Sequence, residues 1–236
     1  MKCAIVDERI SAECERSLLI RGFKVIKLPA AKNLGQAVKS HPDMIMFRNK
    51  NRIITSGEYC EECPYIFSDL REYAEDLNFT FTADEFGSDY PSDAIFNALT
   101  VGDKLFCKSD TVSSAVLEYA RDAGLTLVHV NQGYPACTVL AFGNAAITAD
   151  RGMASALRAS GVRVTEISCG NISLPPYEYG FIGGASGVFS DTVYFLGSID
   201  THPDGEKIKA AIAAEGFGFV SLSEEKLCDL GRIIFV

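Results

Sequence analysis

Short apolar runs and tight polar turns alternate along this chain in a recurring order. Four segments share one grammar: an apolar strand, a polar turn, a second apolar strand, a helical stretch and a third strand. They run from Asp43 to Ser56 around Asn49-Lys50-Asn51, from Asp93 to Asp110 around Gly102-Asp103, from Cys137 to Asp150 around Gly143-Asn144, and from Gly187 to Asp200 around Ser190-Asp191. Each hairpin ends on a residue whose short side-chain oxygen can take the free amides of a first helical turn: Ser56, Asp110, Asp150 and Asp200. The N-terminal strand ends the same way, at Asp7. The helices that follow are expected to stop at residues suited to positive φ, Gly22, Gly124, Gly161 and Gly216, with Asn78 in the same place in the second unit. A strand follows each stop, over Phe23 to Leu28, Phe79 to Phe81, Leu125 to Val130, Val162 to Ile167 and Phe217 to Leu222.

The helix ends therefore count five units, of which the first lacks its opening strand. The chain finishes on an unused one, Arg232-Ile233-Ile234-Phe235-Val236, apolar enough to be buried. Pairing it with Cys3 to Val6 closes a ring and removes the free sheet edges. The expectation is an α/β protein, a closed five-fold pseudo-symmetric α/β propeller of ββαβ-type units whose N- and C-terminal strands share one blade, formed by residues 1–236 as a single domain. The alternative is an open α/β sandwich that repeats.

Composition narrows this. With 47% hydrophobic and 22% charged residues the chain can bury a core, which excludes disorder. No apolar run approaches the roughly 20 residues of a membrane helix. Acidic Asp7 and Glu8 arrive before any apolar leader segment can form, so a cytoplasmic location without membrane contact is expected. The net charge of -9 repels a phosphate backbone and disfavours nucleic acid as a partner. The 8 cysteines are expected as reduced thiols.

Three segments carry a family likeness: Tyr90-Pro91-Ser92-Asp93-Ala94-Ile95-Phe96-Asn97, Asn131-Gln132-Gly133-Tyr134-Pro135-Ala136-Cys137, and Tyr177-Glu178-Tyr179-Gly180-Phe181-Ile182-Gly183-Gly184-Ala185-Ser186-Gly187. With the five-unit ring they resemble the pentein, or α/β-propeller, superfamily, which contains guanidino-group-modifying enzymes such as arginine deiminase and dimethylarginine dimethylaminohydrolase. The likeness covers essentially the whole chain and points to a bacterial branch apart from the enzymes with known substrates. It implies a cysteine on the ring-closing strand that attacks the guanidinium carbon, a histidine that shuttles protons, and carboxylates that hold the cation. Here Arg232 to Val236 holds no cysteine, the nearest being Cys228 beyond Asp229-Leu230-Gly231. The segment entering the fourth hairpin, where the family histidine is expected, offers Tyr134, Pro135 and Cys137. Only the carboxylates fit, since Asp43 and Asp93 each open an inner strand.

Cys137 opens its own hairpin, which places it at the channel mouth as a substitute thiol. Gln132 and Tyr134 can donate hydrogen bonds there, and Gly133 lets backbone amides approach a ligand. A thiol nucleophile needs a base, and His129 on the preceding strand is the expected one. The competing reading of Cys137 is a buried small hydrophobe. The glycines around Gly183 and Gly184 precede a strand rather than a helix, so they read as a channel-lining loop and not a phosphate cradle. Asn97, Asn171 and Tyr179 complete the expected polar rim. Cys60 and Cys63 have the spacing of half a zinc site without a second pair, and no metal or cofactor is expected. His41-Pro42-Asp43 recurs as His202-Pro203-Asp204, where proline suits a helix start. Two functions remain: a thiol-dependent hydrolase or transferase acting on a small amidine-, guanidine-like or other cationic substrate, or a silent module that binds a metabolite or a protein. The expected partner is a small molecule in the central channel.

Overall fold

The repeated pattern folds into five three-stranded sheets of one design, in which a central strand pairs parallel on one side and antiparallel on the other. The computed structural model describes residues 2–236. First come β1 (Lys2–Asp7), α1 (Ala12–Ile20) and β2 (Phe23–Leu28), with β1 and β2 parallel. A short helix, α2 (Pro42–Ile45), leads into the hairpin of β3 (Met46–Asn49) and β4 (Arg52–Ser56). Helices α3 (Gly57–Glu62) and α4 (Pro64–Tyr73) carry the chain to β5 (Asn78–Thr82), parallel to β4. The third unit is β6 (Leu99–Val101), β7 (Lys104–Cys107), α5 (Ser114–Asp122) and β8 (Thr126–His129). Another short helix, α6 (Pro135–Thr138), opens the fourth: β9 (Val139–Phe142), β10 (Ala145–Thr148), α7 (Arg151–Ala159) and β11 (Arg163–Glu166). The fifth is β12 (Ser186–Phe189), β13 (Thr192–Phe195), α8 (Gly205–Ala214) and β14 (Gly218–Ser221), and β15 (Ile234–Phe235) ends the chain.

β15 lies antiparallel to β1, with Ala4 opposite Phe235 and Ile5 opposite Ile234. The last strand thus supplies the first sheet with the partner that the other sheets take from their own hairpins. Each hairpin closes over two residues, and Lys50, Gly102, Gly143 and Ser190 take positive φ there, as turns matched to strand twist require. Phe235 meets Phe23, Phe189 and Tyr194 ring to ring, so the fifth sheet packs on the first. A larger cluster joins Ile5, Phe47, Phe67, Phe96, Leu105 and Cys137. No helix among the described residues is long and apolar enough to cross a membrane.

The helix ends divide. Gly22, Gly124, Gly161 and Gly216 all take positive φ. Asn78 does not: α4 ends at Tyr73, and Asn78 is already the first residue of β5, paired with Arg52. The caps are corrected further. Asp150 caps α7 by accepting from the Met153 amide at 2.8 Å, and Ser56 holds the cap position of α3 without a side-chain bond. Asp7, Asp110 and Asp200 stand too early; Ser11, Ser113 and Asp204 are the capping positions, Ser11 and Ser113 with a side-chain bond.

Candidate functional site

The residues expected to open inner strands sit instead on short turns just before them. Asp43 lies in α2 and Cys137 in α6, both preceded closely by a proline that fixes the first helical turn. These turns and those at Phe96-Asn97, Gly183-Gly184 and Asp229-Leu230-Gly231 are tied to one another. The Asp43 amide donates to the Gly231 carbonyl at 3.1 Å, the Gly184 amide to the Cys137 carbonyl at 2.9 Å, and the Arg232 amide to the Gly184 carbonyl at 2.7 Å. Asn97 is the side-chain hinge of this hub: its Oδ1 accepts from the Ala136 amide at 2.8 Å, while its Nδ2 donates to the Asp43 carbonyl and to Cys137 Sγ, both at 3.2 Å.

The Cys137 thiol donates to Asp43 Oδ2 at 2.8 Å, with both residues almost wholly buried. Burial first, then the charges of Asp43 and Asp229, push the thiol pKa well up, so Cys137 rests as a protonated thiol. The Asp43 carboxyl is itself raised to about 6 by burial, against the opposing pull of the Cys137 hydrogen bond and Arg232. Asp229 rises to about 7 from burial and the Asp43 charge, although its oxygens accept from the Phe181 amide at 2.8 Å and the Gly231 amide at 3.0 Å.

Over this thiol lies a cavity of about 360 Å³ walled by His41, Asp93, Tyr134, Cys137, Asp229 and the aromatic side of Tyr177, Tyr179 and Phe181. Glu178 borders it and no lysine or arginine does. Tyr134 donates its hydroxyl to Asp93 at 2.9 Å; burial raises the Asp93 pKa, and burial together with the Asp93 charge raises that of Tyr134. His41 is buried with neither ring nitrogen hydrogen-bonded, its Nε2 3.8 Å from Asp7 Oδ2. Burial lowers its pKa to about 3, so the ring is neutral.

The expected residues divide accordingly. Cys137, Asp93, Tyr134 and Tyr179 line this cavity, and Asp43 and Asn97 stand behind Cys137. The pairing of Cys137 with His129 is corrected: His129 is exposed on β8, and its Nδ1 meets the Ser109 hydroxyl at 2.8 Å. Gln132 bonds Asp150 at 2.6 Å and the Tyr134 amide at 3.1 Å, which ties this loop to the start of α7. Gly133 leaves room for the Tyr90 ring, 2.3 Å from where a Cβ would stand. Gly183 and Gly184 admit backbone and Asp229: a Cβ on Gly183 would lie 2.4 Å from the Ala136 carbonyl oxygen, and one on Gly184 1.9 Å from Asp229 Oδ1. Asn171 bonds the Cys169 carbonyl beside a separate cavity of about 240 Å³ that shares Tyr179. His41 and Asp229 were missed. The repeat of His41-Pro42-Asp43 as His202-Pro203-Asp204 is the signal that could have pointed to His41; Asp229 enters the sequence reading only as part of the turn before the closing strand.

Solved structures of low sequence identity share this fold. Dimethylarginine dimethylaminohydrolase from Pseudomonas aeruginosa, a cysteine-to-serine mutant complexed with citrulline, matches with a TM-score of 0.55 at 11% identity over 94% of this chain and 91% of that one. Inosamine-phosphate amidinotransferase from Streptomyces griseus matches with 0.54 at 13% over 95% and 78%, and agmatine deiminase of C. jejuni with 0.51 at 8% over 93% and 75%. The fold is that of the pentein superfamily. Residues 5–234 match the model of a family of unknown function, DUF6873, and the chain belongs to that family. No curated protein matches the sequence.

Proposed function

We propose that this protein binds a small cationic amidine- or guanidine-like molecule in the acidic cavity and acts on it through Cys137 as a thiol-dependent hydrolase or transferase. The observation that carries this is the wall itself: Asp93, Glu178 and Asp229 meet a thiol there with no cationic side chain among them. Aromatic faces such as Tyr177 and Tyr179 suit a delocalised cation as well. The names of the structurally similar proteins, an aminohydrolase, an amidinotransferase and a deiminase, supply the amidine class.

A cation seated beside Cys137 offsets the carboxylates that keep the thiol neutral. The thiol proton then passes along the 2.8 Å contact to Asp43 Oδ2. Sulfur bonds to the amidine carbon, a carbon–nitrogen bond breaks, and the departing amine takes the proton back. Water or a second amine releases the carbon group from sulfur and restores the thiol. The reading includes the sheets standing as a closed ring, for which the pairing of β15 with β1 and the contacts of β15 with β12, β12 with β9 and β9 with β6 are the support.

A silent binding module is the second reading, favoured by the raised thiol pKa and the lack of a cysteine on the closing strand. Two electrophiles of equal size separate the two. Cationic 2-chloroacetamidine is expected to alkylate Cys137 at least about tenfold faster than neutral 2-chloroacetamide, and Asp93→Asn to reduce that preference, as read by peptide mass spectrometry. Equal rates, or no alkylation of Cys137 in the folded protein, would overturn the catalytic reading.

A further inference from the structure

Asp43 turns one oxygen to Cys137, and behind it lies a second cavity, of about 180 Å³, on the opposite side of the hub. Its polar lining is Asp43, Arg48, Asn49, Thr100 and Arg232, set in apolar surface from Phe47, Leu99 and Phe235. The two arginines are unusual for what they lack. Arg232 Nε is buried with no hydrogen-bond partner, and neither arginine makes an ion pair within 4.0 Å among the described residues. The two guanidiniums also act on one another, since the Arg232 charge adds to enclosure in holding the Arg48 pKa down.

Burying a guanidinium without a partner is costly, and placing a second cation beside it adds repulsion. Asn49 does not relieve it, because its side chain is engaged with Tyr119 and Thr100. Asp43 is the only carboxylate in the lining; its Oδ2 is held by Cys137 and its Oδ1 has no hydrogen-bond partner, so its charge acts on Arg232 without an ion pair within 4.0 Å. The fold also spends strain to keep Arg232 in place, with φ at 61°, a region that favours glycine. A side chain held so, unpaired, beside a second one on β3, is arranged for a ligand with acceptor oxygens.

We infer that Arg48 and Arg232 form a binding site for a small oxyanion, of carboxylate or phosphate type, on the face of the hub opposite the Cys137 cavity. Each planar guanidinium can donate parallel N–H···O bonds to either group, and the cavity volume admits a group of that size rather than a nucleotide. The two cavities then present opposite charge preferences across one carboxyl: cation on the thiol side, anion on the arginine side. This inference is independent of turnover at Cys137.

Thermal melts at constant ionic strength with added inorganic phosphate, acetate or chloride test it, using wild type, Arg48→Met and Arg232→Gly. Arg48 keeps much of its surface in solvent although its guanidinium is partly enclosed beside Arg232, so its loss leaves the core alone. Glycine at position 232 takes the observed φ without strain. Phosphate or acetate is expected to raise the wild-type melting temperature saturably, with affinity about tenfold or more lower in each variant and no effect of chloride. Whichever of phosphate or acetate acts more strongly names the ligand class. An equal response in wild type and Arg48→Met, or no response to either anion, overturns the inference whether or not Arg232→Gly folds.

Discussion

Asp43 and His41 are two residues apart and titrate in opposite senses, because both are buried and burial favours the neutral form of each. The Asp43 carboxyl, raised to about 6, makes the folded state bind more protons than the unfolded chain above about pH 4. Its contribution to stability is complete below that pH and is lost as pH rises through about 6. His41, lowered to about 3, contributes fully above about pH 6.5, and this is lost as pH falls toward 3. Asp43→Asn is therefore expected to make stability rise more steeply with pH between about 4 and 6, and His41→Leu to make it fall, in urea melts across that range. That Asp43, Asp93, Tyr134 and Cys137 come together was legible from their places before the hairpins, and the structure sets Asp93, Tyr134 and Cys137 around one cavity with Asp43 behind the thiol. That His129 leaves the site was not: its strand position is fixed by chain order, but which face it presents depends on the packing around β8.

Element boundaries followed the residues that need unusual backbone geometry better than those that merely favour a position. The glycine stops at Gly22, Gly124, Gly161 and Gly216 stood because positive φ excludes most other residues. Asp150 stood as a cap, whereas Asp7, Asp110 and Asp200 gave way because a short polar side chain further along caps equally well. Ser113 Oγ accepts from the Ala115 amide at 3.2 Å and donates to Asp84 at 2.6 Å, whereas Asp110 pairs with Lys108 on the surface. Ser113→Ala is expected to cost about 1 kcal/mol, while Asp110→Ala leaves the melting temperature unchanged. In the second unit, α4 ends at Tyr73 and the turn before β5 falls at Glu75-Asp76, where the Leu77 amide donates to the Ala74 carbonyl, so the Asn78 equivalence fails because Asn78 lies beyond that turn, already in the strand.

At the scale of the molecule, the five C-terminal residues act at long range. Ile233, Ile234 and Phe235 are buried, and Phe235 joins the aromatic cluster that holds the first and fifth sheets together. Deleting residues 232–236 bares the edge of β1 and removes that cluster's centre; the protein is expected to aggregate or to lose its cooperative melt, and an unchanged melt would contradict this. The sequence by itself determined the number of units, their hairpins and the pairing of the last strand with the first, since short apolar runs, tight polar turns and an unpaired apolar end are local or edge properties. Only the tertiary structure decided what the hub is made of. Asn97 as hinge, the 2.8 Å contact of Cys137 with Asp43, neutral His41 and the unpaired Arg232 each arise where turns from different units meet. Their protonation and partners come from burial and from neighbours far away in the chain, and no local pattern of residues carries that information.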